Sequence, residues 1–234
     1  MNYKSLMSLV NIAKNYPTTK NDHKYIEHYD NYLRNFQHKN INVLEIGIER
    51  GDSLRMWRDY FSNAKICAID IIDRNISVPN TDVMIGDQSD YKFLKEITDK
   101  YGSFDIIIDD GSHHSKHIIT TFNYLFDFLN TDGIYVVEDL QTSYQPRFGG
   151  NRFNLSKKNT SMNFFKRLTD SINYERNDKP FFSKLKFDGY IKSIFFHQNI
   201  IFLTKGKSKK LFFNDIKKNT FSDKLKKFIS FFYN

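Results

Sequence analysis

The chain has 234 residues, a length that suits one α/β domain with small additions. Hydrophobic residues make up 40% of it and charged residues 26%, so the composition is globular and excludes a disordered chain. The net charge of +8 is uneven, because the residues from Lys205 onward carry +7 and the first 204 carry only +1. This argues against a body built to bind nucleic acid, for which a basic face is expected.

Cysteine content and hydropathy indicate the cellular compartment in which the protein is expected. Cys67 is the only cysteine, which excludes an intrachain disulfide and a cysteine-based zinc site. No apolar run approaches the ~20 residues that a membrane-spanning helix needs. We also predict no signal peptide, and we therefore expect a cytoplasmic protein.

Helix and strand patterns alternate along most of the chain. Residues 1–40 predict an N-terminal helical cap, with helices around 3–15 and 24–37. The predicted strands cover residues 41–46, 65–70, 82–85, 104–109 and 133–137. Helices are predicted over 52–61, where Asp52 would be the cap, and over 90–101 and 116–129. This order predicts a doubly wound, mostly parallel α/β sheet.

The last third of the chain has a different pattern. The polar segment 140–159 is long for a connection and is therefore a candidate functional loop. A helix around 160–174 follows, and strands over 190–196 and 200–204 predict a terminal antiparallel hairpin that closes the main domain, 41–206. Residues 207–234 form a basic, Phe-rich tail that predicts an amphipathic helix.

Polar residues follow the first three predicted strands. Strand one ends in Glu45 and Gly47, strand two in Asp70, and strand three in residues 86–88 (Gly-Asp-Gln). In an open α/β sheet, ligands bind beyond the carboxyl ends of the strands. The glycine allows close approach of a ligand to the backbone, and Asp70 can accept hydrogen bonds from both ribose hydroxyls of an adenosine.

Acidic residues follow the fourth and fifth strands. Strand four ends in Asp109-Asp110, and strand five in Glu138-Asp139. If these strands are neighbours, Asp110, Glu138 and Asp139 meet at one rim and repel one another unless a cation lies between them. All-oxygen ligands favour a hard ion such as Mg²⁺. His113 is a candidate general base next to this group.

These motifs occur together in one known family. The combination of LEIG, SLRMW, GDQ, IDDGSH, VED and Tyr-x-Pro-x-Phe-Gly-Gly over about residues 20–150 resembles S-adenosylmethionine (SAM)- and Mg²⁺-dependent sugar O-methyltransferases of the macrolide type. The resemblance implies a class I methyltransferase that methylates a sugar hydroxyl. Residues 19–25 are similar to an N-terminal segment of the family, and we expect them to close over SAM.

The resemblance also assigns residues to roles. SAM would be bound by Glu45, Gly47, Ser53, Asp70, Asp87, Gln88 and Asp109. Mg²⁺ would be bound by Asp110, Glu138 and Asp139. His113 would be the general base.

The acceptor is less well defined by these patterns. Tyr144 and Arg147 lie in the long loop and are predicted to contact it, and an arginine there suits a nucleotide-linked sugar. A vicinal diol of a polysaccharide or natural-product sugar is the expected group. Only about forty residues precede strand one, whereas the family has a further N-terminal domain, so the macrolide substrate itself is not implied.

Other interpretations stay open from the sequence alone. The tail is expected to dock on the body or across a homo-oligomer, but it would also serve a methyltransferase acting on nucleic acid or another phosphorylated acceptor. A non-catalytic SAM-binding module that docks on an anionic membrane or a partner is a third possibility. A NAD-dependent enzyme is disfavoured because the first βα turn lacks the G-x-G-x-x-G spacing.

Overall fold

The computed structural model describes residues 7–174 and 186–207. The predictions for residues 1–6 and for nearly all of the tail therefore fall outside the described residues. In order along the chain the helices and strands are α1 Leu9–Ala13, α2 Thr19–Asp22, α3 Ile26–Leu33, β1 Asn42–Ile46, α4 Asp52–Tyr60, β2 Lys65–Asp70, β3 Thr81–Ile85, α5 Tyr91–Tyr101, β4 Phe104–Asp109, α6 Ser115–Leu125, β5 Leu129–Val137, α7 Ser161–Ile172, β6 Ile191–Phe196 and β7 Ile201–Lys205.

The strands form one mixed sheet in the order β3-β2-β1-β4-β5-β7-β6. The pairs among β1 to β5 are parallel, and β7 runs antiparallel to both β5 and β6. The predicted fold class, a doubly wound and mostly parallel sheet with a terminal antiparallel hairpin, is confirmed. Because β1 and β4 are neighbours with their helices on opposite faces, a crevice opens beyond their carboxyl ends.

The hydrophobic core lies on both faces of this sheet. One face packs against α1, α3 and α4 through residues such as Leu9, Tyr29 and Trp57. The other packs against α5, α6 and α7 through residues such as Phe122 and Phe165. Strand β4, in the middle of the sheet, is buried on both sides, which explains its continuous apolar run. Residues of α1 and α3 pack into the same core as the sheet, so the packing has no break at residue 40. The domain boundary predicted there stays a prediction.

Local chemistry explains where several predicted elements begin and end. Gly51, with a φ of 78°, is the residue before α4, so the prediction that Asp52 is the helix cap is wrong and Asp52 is the first helical residue. The helix predicted over 24–37 ends at Leu33 and continues as a 3₁₀ turn, Arg34–Phe36. Strand β5 begins at Leu129, where the predicted helix over 116–129 was expected to end. Among the described residues, no helix is both long and apolar enough to cross a bilayer.

Asp30 fastens the N-terminal helices to each other. Its buried carboxylate accepts hydrogen bonds from the Leu9 backbone N–H (2.9 Å) and the Tyr60 hydroxyl (3.3 Å), and it pairs with Arg34 at 2.6 Å. Burial raises the pKa of Asp30, but the bonds from Leu9 and Arg34 outweigh this and hold it below its ordinary value.

We expect Asp30→Asn to lower the free energy of unfolding by about 2 kcal/mol at neutral pH, because hydrogen bonds to a charged acceptor are lost. A carboxyl group with a lowered pKa stabilises the fold above its unfolded pKa, and this contribution is lost as the pH falls. The difference from the wild type, measured by urea unfolding, should therefore stay constant down to about pH 4 and shrink as the pH falls further. Asp99→Asn, which removes an exposed pair with Lys95, is the control and should leave the stability close to that of the wild type. A gap that stays constant with pH would contradict this account of Asp30.

Candidate active site

A cavity of about 470 Å³ opens beyond the carboxyl ends of β1, β2, β3 and β4. Its size lies within the range of small-molecule and cofactor sites. Eight of the predicted site residues line it, namely Gly47, Ser53, Asp70, Asp87, Gln88, Asp110, His113 and Asp139. The N-terminal segment contributes a further wall, formed by Pro17, Thr18, Thr19, Lys20 and His23.

Gly47 begins the turn that shapes this cavity. Its φ of 82° is in the left-handed region, and a Cβ atom there would lie 2.2 Å from the carbonyl oxygen of Asp110. Only glycine therefore allows the turns after β1 and β4 to touch. The Asp70 carboxylate holds the turn from the other side, since it accepts hydrogen bonds from the backbone N–H groups of Ile48 (3.0 Å) and Glu49 (3.3 Å).

The Gln88 side chain connects the turn after β3 to the end of β4 by hydrogen bonds. Its side-chain oxygen accepts a hydrogen bond from the Ser112 backbone N–H at 2.7 Å. Its amide nitrogen donates to Asp109 at 2.9 Å and to Thr121 at 3.2 Å. Burial raises the pKa of Asp109 to about 7.

Two residues predicted to bind the cofactor lie behind the cavity wall. Glu45 is completely buried and accepts a hydrogen bond from the Trp57 indole N–H at 2.9 Å, and burial raises its pKa. Asp109 is 2% exposed and is held by Gln88. Neither side chain is part of the cavity lining, and their assignment as cofactor contacts stays a prediction.

A cluster of two carboxylates and one imidazole lines part of the cavity. Ligand atoms of Asp110, His113 and Asp139 all lie within 4.8 Å of one another. The Nε2 atom of His113 is 3.7 Å from an oxygen of Asp139, and Nδ1 of His23 is 3.5 Å from its other oxygen. Two ligands of one Mg²⁺ lie at most about 4.2 Å apart, because each bond is about 2.1 Å long. Adjacent ligands of an octahedral ion lie only about 3 Å apart. The three groups are therefore near enough to share a divalent cation once their side chains move closer together.

Glu138, the third predicted metal ligand, has other partners in this structure. Its side chain is 2% exposed, and one oxygen lies 2.8 Å from the ammonium of Lys20 and accepts a hydrogen bond from the Tyr29 hydroxyl. Among the described residues, the group of possible metal ligands that contains Asp139 does not include Glu138. Its assignment as a metal ligand stays a prediction.

Three residues of the N-terminal segment contact the carboxylates that follow β4 and β5, and none of these contacts was predicted from the sequence. Lys20 lies 2.5 Å from Asp110, Tyr25 donates to Asp139 at 2.8 Å, and Tyr29 donates to Glu138. These pairs are 90, 114 and 109 residues apart in sequence. The only available signal was the likeness of residues 19–25 to a family segment.

The loop after β5 folds back over His113. It contains two 3₁₀ turns, Leu140–Tyr144 and Pro146–Phe148. The Phe148 ring lies edge-on to His113, with ring centroids 6.3 Å apart, and the Arg147 guanidinium lies over Phe148 at 4.8 Å. The predicted acceptor residues Tyr144 and Arg147 line a second depression, together with Arg152.

The strand order, the glycine turn after β1 and the cavity beyond the strand ends define the class I methyltransferase fold. Comparisons with known proteins agree, although no family model matches the chain. The chain is 36% identical over 195 residues to mycinamicin VI 2''-O-methyltransferase of Micromonospora griseorubida, in a match that covers 80% of this chain and 49% of that protein. It is 38% identical over 195 residues to 8-demethyl-8-alpha-L-rhamnosyl tetracenomycin-C 2'-O-methyltransferase of Streptomyces olivaceus, covering 78% and 50%.

A solved structure gives the same result for the fold. MycE methyltransferase of the mycinamycin biosynthetic pathway, in complex with Mg and S-adenosylhomocysteine (SAH), superimposes with a TM-score of 0.84 at 32% identity. The match covers 95% of this chain and 61% of that one. This chain is thus a homologue of the macrolide-type sugar O-methyltransferases, and the predicted resemblance is confirmed. It spans about half the length of the curated relatives it matches.

Proposed function

We propose that this chain is a SAM-dependent O-methyltransferase that transfers a methyl group to a hydroxyl of a sugar with the help of Mg²⁺. The observation that carries the proposal is the cavity beyond β1 and β2, which opens directly onto the group of Asp110, His113 and Asp139. The named relatives are O-methyltransferases of antibiotic sugars, and MycE was solved with Mg and SAH.

The cofactor would lie along the turn after β1. Gly47 and Ser53 would be close to its amino acid part, Asp70 would accept hydrogen bonds from the ribose hydroxyls, and Asp87 and Gln88 would lie at the adenine edge. Exposed Ile71 and Ile72 line the same region and offer apolar surface for the adenine ring. Sequence reasoning missed these two isoleucines, although they follow Asp70 directly.

The chemistry would take place where Asp110, His113 and Asp139 line the cavity. Asp110 and Asp139 would hold the ion, with Glu138 as the further predicted ligand. Mg²⁺ would lower the pKa of a coordinated sugar hydroxyl, which is otherwise a weak nucleophile. His113 would accept the proton of that hydroxyl, and Asp139 would keep the imidazole in place. The residues that line the cavity around these groups would align the hydroxyl with the methyl carbon.

The acceptor would enter across the loop after β5. Tyr144 and Arg147 are the proposed contacts, and the two arginines that line the same depression, Arg147 and Arg152, favour a nucleotide-linked sugar over a neutral one. A sugar of a polysaccharide or secondary metabolite would be the final destination of the methyl group. We further propose a cytoplasmic location, with which the single, buried Cys67 is compatible.

The full chain, incubated with SAM and Mg²⁺, should methylate a nucleotide diphosphate sugar that carries a vicinal diol. Mass spectrometry of a panel of such sugars should show the gain of one CH₂ group, and matched deoxy sugars that lack one of the two hydroxyls should show none. Transfer that continues in excess chelator would contradict the metal-assisted mechanism. Binding of SAH without transfer to any diol would favour the non-catalytic alternative.

A further inference from the structure

Lys20 is a buried cation among carboxylates. Its side chain is 1% exposed, and its ammonium lies 2.5 Å from Asp110, 2.8 Å from Glu138 and 3.8 Å from Glu45. Burial lowers the pKa of Lys20, but the three carboxylates raise it further, to well above its ordinary value. A buried charge persists only when it is paired in this way, so Lys20 is charged and bound to the acidic edge of the sheet.

The position of Lys20 connects this acidic edge to the cofactor cavity. It lies on α2, a helix of four residues that begins after Thr18, whose hydroxyl accepts a hydrogen bond from the Lys20 backbone N–H. Pro17, Thr18, Thr19 and His23, which flank it, form one wall of the cavity. So short a helix is not stable by itself, and contacts with the body must hold it in place.

We propose that Lys20 is a positioning residue with two effects: it neutralises Glu138 and Asp110, and it fastens residues 17–23 over the cofactor cavity. The inference rests on the proposed function, since it concerns the binding of metal and cofactor. Lys20 shares the Asp110 carboxylate with the metal site and repels a divalent cation there. It therefore weakens metal binding while it strengthens cofactor binding.

These two effects have opposite signs, which separates the proposal from a purely structural role. In Lys20→Met the side chain keeps a similar length but loses its charge. The removal of a positive charge next to a divalent cation should tighten Mn²⁺ binding about tenfold or more. The release of residues 17–23 should weaken SAH binding about tenfold, because part of the population no longer has a formed cavity wall. A variant that merely destabilises the fold would weaken both ligands.

The experiment measures the dissociation constants of Mn²⁺ alone and of SAH alone for the full chain by calorimetry. Lys192→Met is the matched control, because it makes the same substitution at an exposed lysine that is paired with Asp132, and both constants should stay close to the wild type. Weaker Mn²⁺ binding by Lys20→Met, or unchanged SAH binding, would overturn the proposal.

Folding failure and failure of the proposed function have separate signatures. If Lys20→Met does not fold, Lys20→Gln, which still donates a hydrogen bond but carries no charge, should show the same pair of opposite shifts. If neither variant folds, Lys20 is required for the fold and the proposal is wrong. If the wild type binds neither Mn²⁺ nor SAH, both the proposed function and the role of Lys20 are wrong. If the wild type binds both and the variant has the same two dissociation constants, only the role of Lys20 is wrong.

Discussion

Asp139→Asn should abolish methyl transfer while SAH binding survives. Asp139 is the residue on which the acidic group depends, because it lies within reach of both Asp110 and His113 and also accepts a hydrogen bond from Tyr25. The substitution removes one of the two carboxylates from this group without a change of size. A neutral amide oxygen is a much weaker ligand for a hard divalent cation. We expect turnover to fall by about 10³-fold or more, since an essential electrostatic contribution to the transition state is lost.

Asparagine is chosen because it avoids backbone strain at this position. Asp139 has a φ of 54°, in the left-handed region, where asparagine is tolerated and alanine is strained. Asp132→Asn is the matched control. Asp132 has a φ of 63° and an exposed side chain paired with Lys192, so its substitution tests the backbone conformation and the loss of a carboxylate away from the site.

Three measurements check this prediction: turnover, SAH affinity and Mn²⁺ affinity of the full chain. Turnover and Mn²⁺ affinity should fall together in Asp139→Asn, and all three should stay near the wild type in Asp132→Asn. Addition of a chelator to the wild type should reproduce the loss of turnover with SAH still bound. Retention of most activity in Asp139→Asn would remove the acidic group from the mechanism.

The sheet and its strand ends were predictable because their physical signals are local. Strand β4 is buried on both faces, so its apolar run is unbroken and its first and last residues were predicted correctly. Glycine and aspartate at the ends of β1 and β2 stand out against such runs. Their meeting in one cavity then follows from the parallel topology, since neighbouring strands end at the same edge.

The contacts of the N-terminal segment could not be predicted in the same way. Lys20 lies in a polar stretch where a lysine normally indicates an exposed surface, and nothing in its neighbourhood in sequence marks it as buried. Its partners come from the ends of β4 and β5, 90 and 118 residues away. A cation was predicted between the three carboxylates. For Glu138, the ammonium of Lys20 supplies this positive charge. Three acidic residues at strand ends therefore predict the need for positive charge but not its source.

The segment after β5 shows a similar limit. Its length and polarity predicted a functional loop, but not that it folds back on His113. That arrangement depends on Ser143, which is buried and hydrogen-bonds Ser161 at 2.6 Å, and on Gly150, where a Cβ atom would lie 2.4 Å from the Ser143 carbonyl oxygen. Tertiary contacts of this kind have no periodic signal. Tyr144 and Arg147 consequently stay predictions as acceptor contacts.

His113→Asn should lower turnover by about 10²- to 10⁴-fold, the usual contribution of a general base. The imidazole is well placed for that role, because it lies 3.7 Å from Asp139 on one side and against Phe148 on another. Its backbone is also fixed, since the His113 carbonyl accepts a hydrogen bond from the Thr142 hydroxyl at 3.0 Å. Asparagine suits the φ of 57° at this position and cannot accept the proton of a hydroxyl near neutral pH.

His23→Asn provides the matched comparison, because His23 also lines the cavity and lies 3.5 Å from Asp139. If His113 is the base, its loss should reduce single-turnover transfer and leave both SAH and Mn²⁺ affinity unchanged, whereas His23→Asn should retain most of the transfer rate. A parallel fall of Mn²⁺ affinity in His113→Asn would make His113 a metal ligand instead, as its place in the group with Asp110 and Asp139 also allows. Equal losses in the two variants would mean that neither imidazole is the specific proton acceptor. Asp110 and Asp139 would then be the candidate bases.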